Sequence, residues 1–216
     1  MRIYLIRHAK QESNLCNVNT PLSELGRCQA KLLGERLSSY HIDILYSSDL
    51  IRAVETADII NREIECVNGR LLEHKIRKGL REIDFGDLTG IPDPVIERDY
   101  GEFMESRYSG SVDWRYPGGE SGEEVINRFL PVLEEIKREN ADRTAVVTHG
   151  GTIRSVLAHL FQKGQADRLM FGRYFERASL TELYYDVNRE RFYLERFNDY
   201  GHLERESCIS ERNRLG

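Results

Sequence analysis

Two short apolar segments, Arg2–Arg7 (RIYLIR) and Arg143–Thr148 (RTAVVT), each run straight into a histidine, His8 and His149. Segments this short, apolar and rich in branched or aromatic residues read as buried strands. Helical spacing recurs between them. Pro21 opens a stretch in which Leu25, Cys28, Leu32 and Leu33 fall on one face as far as about Leu37. Ile42–Tyr46 reads as a second strand, and Ser48 or Asp49 as the cap of a helix reaching about Asn61. Glu65–Val67 reads as a short strand. Ser121-Gly122-Glu123-Glu124 forms a capping box ahead of the stripe Val125, Ile126, Phe129, Leu133 and Ile136, in which Pro131 predicts a kink. Gly150-Gly151 opens a further helix with Ile153, Val156, Leu157 and Leu160 on one face. Leu180–Tyr185 and Phe192–Phe197 read as a hairpin turning near Asn188. Strand and helix therefore alternate, which predicts an α/β fold: a mostly parallel, mixed central sheet with helices on both faces.

One stretch breaks the pattern. From 84 to 120, glycines, prolines and scattered aromatics predict an irregular excursion with one short helix around Val95–Arg107. No repeat or linker splits the chain, so residues 1–216 are expected to form a single domain, with the polar tail 204–216 frayed. A chain of 216 residues that is 40% hydrophobic can bury a sizeable core without staples. Its formal charge of −5 argues against nucleic acid and anionic membrane as partners. The first apolar stretch, Ile3 to Ile6, is too short for a secretory signal, and no segment is long enough to span a bilayer. Cys16, Cys28, Cys66 and Cys208 match no zinc or redox spacing and read as reduced thiols of a cytoplasmic protein.

The two histidines carry the functional reading. In open α/β sheets ligands bind beyond the carboxyl ends of the strands, so both histidines fall on one rim. Gly150-Gly151-Thr152 exposes N–H groups at a helix start, a natural anion site. Arg52, in the first turn of another helix, leans toward the same rim, and Arg7 adjoins His8. Each feature alone has a bland reading: a satisfied structural histidine, a solvated arginine, a packing glycine. Together they outline an anion pocket.

With these residues in view the chain resembles the histidine phosphatase (phosphoglycerate-mutase-like) superfamily. Arg7-His8-Ala9 looks like its R-H-G/A signature, with Asn14 matching the asparagine six residues on. Leu22 to Ala30 resembles the first-helix motif, and Tyr46 to Ala57 the S-x-L-x-R-A-x-x-T-A segment. Leu80 to Gly90 resembles the acid/base loop, Pro117-Gly118-Gly119-Glu120-Ser121 the P-G-G-E-S turn, and Val147 to Gly151 the second-histidine motif. These blocks occur in the family's order and cover residues 1–160. The resemblance implies His8 as nucleophile, Glu82 as proton donor, and Arg7, Arg52 and His149 on the phosphoryl oxygens. It implies Asn14 and the Gly150 backbone as further phosphate contacts. Lys10 and Gln11 depart from the common pattern after the signature, as does Thr20 before Pro21.

Physical chemistry agrees with those roles. Phosphoryl transfer needs positioning and neutralisation of oxygen charge. The planar arginine fork suits phosphate. A nucleophilic imidazole must be neutral, and nearby cations favour that state. The arginines and His149 supply the positive charge, so neither metal nor cofactor is expected. The expected activity is that of a phosphoric monoester hydrolase of histidine acid phosphatase type, acting on a small-molecule phosphate ester as a monomer or homodimer. The short chain, and an ending with Asn198-Asp199 and His202-Leu203 that resembles α-ribazole phosphatase, favour hydrolysis over a cofactor-dependent phosphoglycerate mutase. Two further readings stand beside the mutase: a non-catalytic phosphate-binding protein and a phosphatase of protein phosphohistidine. The excursion argues for a small-molecule pocket and against the last of these.

Overall fold

The computed structural model describes residues 1–204. Its centre is one six-stranded sheet: β1 (Arg2–Arg7), β2 (Ile44–Ser47), β3 (Glu73–Ile76), β4 (Arg143–Thr148), β5 (Leu180–Asp186) and β6 (Arg191–Asp199). The spatial order is β3-β2-β4-β1-β5-β6. The four strands from β3 to β1 run parallel, and β5 and β6 add an antiparallel edge.

Alternation along β1 assigns the two faces. Tyr4 and Ile6 pack into a cluster with Ala30, Leu33, Ala57 and Ile60 of α1 (Glu24–Leu37) and α2 (Ile51–Asn68). Ile3 and Leu5 point the other way, toward Ile126, Phe129, Ile153 and Leu157 of α4 (Gly122–Arg138) and α5 (Gly150–Leu160). The sheet is thus covered on both faces, as its central strands require. The helix after β1 lies on one face and the helix after β4 on the other. The crevice between these two neighbouring strands is where ligands bind in open α/β sheets.

Several elements differ from the sequence reading. α2 runs two turns past Asn61 and absorbs Glu65–Val67, because Ile60 and Ile64 continue its buried stripe. The strand lies later, at β3, an edge strand whose residues are half-buried or exposed and so lack an apolar pattern. α1 begins at Glu24 rather than Pro21, with the Ser23 hydroxyl accepting from the Gly26 N–H as N-cap. α4 is one continuous helix through Pro131, which sits on the exposed side where water can serve the carbonyl that loses its donor. The excursion is better ordered than expected. It holds α3 (Asp93–Ser106) and a small cluster of its own, with Ile83, Leu88, Ile96, Tyr116 and Val125. A short final helix, α6 (Gly201–Glu204), ends the described chain, so Cys208 and the tail beyond Glu204 lie outside the described residues.

The Asn198-Asp199…His202 ending is a clamp on the fold. Asp199 and His202 both meet Arg36 of α1, His202 Nδ1 at 3.3 Å. Burial pushes the His202 ring down to about 4, so its Nδ1 accepts the arginine's proton.

α1 abuts the segment that follows β1, and Gly26 is the point of closest approach. A Cβ there would lie 2.0 Å from the Lys10 carbonyl oxygen. Gly26→Ala is therefore expected to cost about 1–3 kcal/mol, the scale of overpacking. Thermal denaturation checks it: an unchanged Tm would mean that the segment yields freely.

Candidate active site

Register brings the two histidines together. Arg7 of β1 pairs with Thr148 of β4, so the next residue on each strand is a histidine. The His8 N–H donates to the Thr148 carbonyl at 2.9 Å, and the two imidazole centroids lie 4.9 Å apart. Both rings are buried. His8 Nδ1 lies 2.7 Å from the Ala9 carbonyl oxygen, which can only accept. Nδ1 therefore carries the proton and Nε2 the lone pair.

Arg52 enters from the first turn of α2, where Leu50 is the N-cap. Its Nε donates to His8 Nε2 at 3.2 Å, its Nη2 to the Asn17 side-chain oxygen at 2.7 Å and its Nη1 to the Val18 carbonyl at 3.2 Å. Arg7 donates to the Phe175 carbonyl and packs on Gly150, where a Cβ would come within 3.4 Å of its Nε. Neither ring nitrogen of His149 has a hydrogen-bond partner among the described residues. Buried polar atoms rarely go unpaired, so an open donor–acceptor pair beside His8 points to a ligand.

Burial holds His8 well below the usual imidazole value, reinforced by His149, Arg52, Arg177 and Arg7. His149 is lowered the same way, by burial first and then by Arg52, Arg128 and Arg7. Arg52 itself falls to about 10 through burial and remains a cation at neutral pH. Two consequences follow. The acid limb of the kcat/KM profile is expected below about 6.5, the ordinary imidazole value. Histidines depressed in the folded state bind fewer protons than in the unfolded chain, so their contribution to stability is full above that value and is lost as pH falls. Thermal melts at pH 7 and pH 5 should show a lower Tm at pH 5; equal values would contradict neutral buried rings.

Glu82 reaches this rim from a loop that Arg128 of α4 holds in place. The Arg128 guanidinium donates to the carbonyls of Gly79, Arg81 and Glu82 and makes a two-pronged bond to Glu120 at 2.9 Å on each arm. Glu120 in turn accepts from the Asp84 N–H. Burial works to raise the Glu120 carboxyl, but the Arg128 bond, the Asp84 N–H and the charges of Arg128 and Arg115 together outweigh it and leave it lowered. The P-G-G-E-S turn thus braces the Glu82 loop.

The glycine turn at the start of α5 is an anion cradle, as its sequence predicts, but it holds the chain's own carboxylate. The N–H groups of Gly151 and Thr152 donate to Glu82 at 3.3 and 3.0 Å. A Cβ on Gly151 would sit 2.6 Å from the Glu82 carboxylate oxygen, so glycine is needed for that approach. Gly150, whose backbone is expected on phosphate, lies against Arg7.

The structure thus brings Arg7, His8, Arg52 and His149 together at the ends of β1 and β4, and Glu82 to the helix start that follows His149. It does not bring Asn14 there: Asn14 is exposed, and the asparagine that touches Arg52 is Asn17. The chain after His8 follows an aperiodic path, so spacing alone could not choose between them. Arg177 carries no signal in the sequence because it lies in an aperiodic segment; its charge acts on both His8 and Arg52, which places it near the centre.

A cavity of about 270 Å³ opens beside Glu82, Arg7 and the Gly150-Gly151 turn, bounded on its far side by excursion residues such as Phe85, Arg107 and Tyr116. Glu82 is the only carboxylate lining it among the described residues. No group of three or more His, Cys, Asp or Glu among the described residues could hold a metal ion. No described helix is long and apolar enough to cross a membrane.

A family model described as histidine phosphatase superfamily (branch 1) matches residues 3–200. A 2,3-bisphosphoglycerate-dependent phosphoglycerate mutase of Nitrobacter winogradskyi is 30% identical over 167 residues, covering 72% of this chain and 78% of the mutase. The metal-independent phosphoserine phosphatase of Arabidopsis thaliana is 28% identical over 209 residues, 93% of this chain and 82% of that protein. A mycobacterial glucosyl-3-phosphoglycerate phosphatase, solved with inorganic phosphate, superposes with a TM-score of 0.80 at 28% identity, over 93% of this chain and 98% of its own.

Proposed function

The chain belongs to branch 1 of the histidine phosphatase superfamily, and from that premise we propose that it is a metal-independent cytoplasmic phosphomonoesterase acting on a small phosphorylated metabolite through a phosphohistidine at His8. One observation carries the reading: a neutral imidazole with its Nε2 lone pair aimed at Arg52, and Glu82 lining the cavity beside it.

In the first step His8 Nε2 attacks phosphorus and the ester P–O bond breaks. As phosphorus arrives, the Arg52 donor on Nε2 passes to a phosphoryl oxygen, with Arg7 and His149 on the others. These fixed donors offset the charge of the transition state. Glu82, protonated, gives its proton to the departing alkoxide. In the second step Glu82, now a carboxylate, takes a proton from water as the water oxygen attacks phosphorus. The P–N bond breaks, phosphate leaves, and His8 and protonated Glu82 are restored.

Phosphoserine phosphatase and glucosyl-3-phosphoglycerate phosphatase among the similar proteins support the hydrolase reading. The mutase relative favours the competing one. Product analysis separates them. Inorganic phosphate is expected as the main product from several monoesters, before and after exhaustive dialysis against EDTA. Rapid interconversion of 3- and 2-phosphoglycerate with little phosphate released would establish the mutase. Loss of activity that Mg²⁺ or Zn²⁺ restores would end metal independence.

A further inference from the structure

The wall of the cavity beyond Glu82 is basic although the chain as a whole is acidic. Arg107, Arg154 and Arg173 all line it, and among the described residues none of them forms an ion pair with a carboxylate. Their protein contacts are neutral. Arg154 of α5 donates to the carbonyls of Phe171 and Gly172 at 3.3 and 2.9 Å and lies over the Phe175 ring. Arg107, just past α3, donates to the Tyr116 hydroxyl, while its buried Nε has no partner among the described residues. Arg173 rests on the Tyr174 ring, 5.6 Å from its centroid. Arg168, in the same wall, is different: Asp113 holds it at 2.5 Å, with the Gln165 and Trp114 carbonyls, so its charge is already matched. The acidic residues of the excursion helix, Asp93, Glu97, Asp99, Glu102 and Glu105, are exposed and none lines the cavity.

Cations drawn partly out of water without a counter-charge are costly, and an anion placed among them recovers that cost. Burial lowers the Arg154 guanidinium, consistent with a charge that lacks such a partner. The position of the cluster identifies the anion. Glu82 protonates the leaving oxygen and lines this cavity, so the alcohol half of the ester occupies it. The phosphoryl group has its own donors in Arg7, Arg52 and His149.

Resting on the phosphatase reading, we propose that Arg107, Arg154 and Arg173 form a second anion subsite, and that the substrate is a monoester whose alcohol carries a carboxylate or a second phosphate. The acids of α3 face solvent while Arg107, just past its end, lines the cavity, so the net charge of the segment does not show the basic wall.

The test uses three esters with closely similar leaving alkoxides: glycerol 3-phosphate, 3-phosphoglycerate and glycerol 1,3-bisphosphate. Binding is measured by calorimetry on the His8→Ala chain, which cannot turn them over. At least one of the two esters with a second anionic group should bind about tenfold or more tightly than glycerol 3-phosphate, the scale of one charge-assisted hydrogen bond. Which one gains tells carboxylate from phosphate. Arg107→Gln with Arg173→Gln should erase most of that difference. Arg173 is exposed, so Arg173→Gln alone, with a partial loss expected, serves if the double variant does not fold. Should His8→Ala not fold, the ratio of kcat/KM values in the intact enzyme replaces the affinities. Equal affinities for the three esters, or a preference that survives both arginine substitutions, would overturn the subsite. Failure of the intact enzyme to hydrolyse any ester, with the binding preference present, would overturn only the phosphatase reading.

Discussion

His8→Ala is expected to lower kcat by about 10⁴-fold or more, the scale on which removing a nucleophile acts, while the circular dichroism spectrum stays that of the folded chain. His8 touches the core through backbone bonds that alanine retains: its N–H to Thr148 and its carbonyl to the Ala178 N–H. The ring's bonds to Ala9 and Arg52 serve the reaction centre. Near wild-type turnover in this variant would show that His8 is not the nucleophile.

The second large effect should be selective. Glu82→Gln keeps the side-chain shape and one oxygen for the Thr152 N–H that Oε1 accepts now; the longer bond from Gly151 to Oε2 is lost, but Arg128 still holds the loop through its carbonyls. What the substitution removes is the transferable proton. For alkyl phosphates, whose alkoxide needs that proton, kcat/KM is expected to fall about 10²- to 10⁴-fold. For p-nitrophenyl phosphate, whose leaving group is stable as an anion, the loss should be under about tenfold. Equal small losses on both esters would exclude Glu82 as the acid. Glu120 would be a poor replacement, because Arg128 already holds its carboxylate on both oxygens.

The physical origin of these effects was partly legible in the sequence. RIYLIR-His8 and RTAVVT-His149 could be read because buried central strands are continuous apolar runs, and their pairing in register sets the histidines side by side. Ser121 and Glu124 announced α4 through cap chemistry that is purely local. Edge strand β3 was hidden because an edge strand need not be apolar, and the length of α2 because its buried stripe fades gradually after Ile60. At the site, the strand-end residues His8, His149 and Arg7 were readable from position. Asn17, Arg107 and Arg173 were not, since they sit in loops or just past a helix end, where no period ties a residue to a direction in space. The Gly150-Gly151 turn was legible as an anion cradle, but only three-dimensional structure could show that Glu82, far away in sequence, fills it.

The claim on which everything else rests is covalent transfer to one imidazole nitrogen. Rapid quench during a single turnover with a phosphorus-labelled monoester tests it directly. The expected result is a protein-bound label that forms before phosphate is released, is labile to acid and stable to base, and maps to the peptide containing His8. Phosphate released in the first turnover with no label on the protein, or label on a residue other than His8, would contradict it.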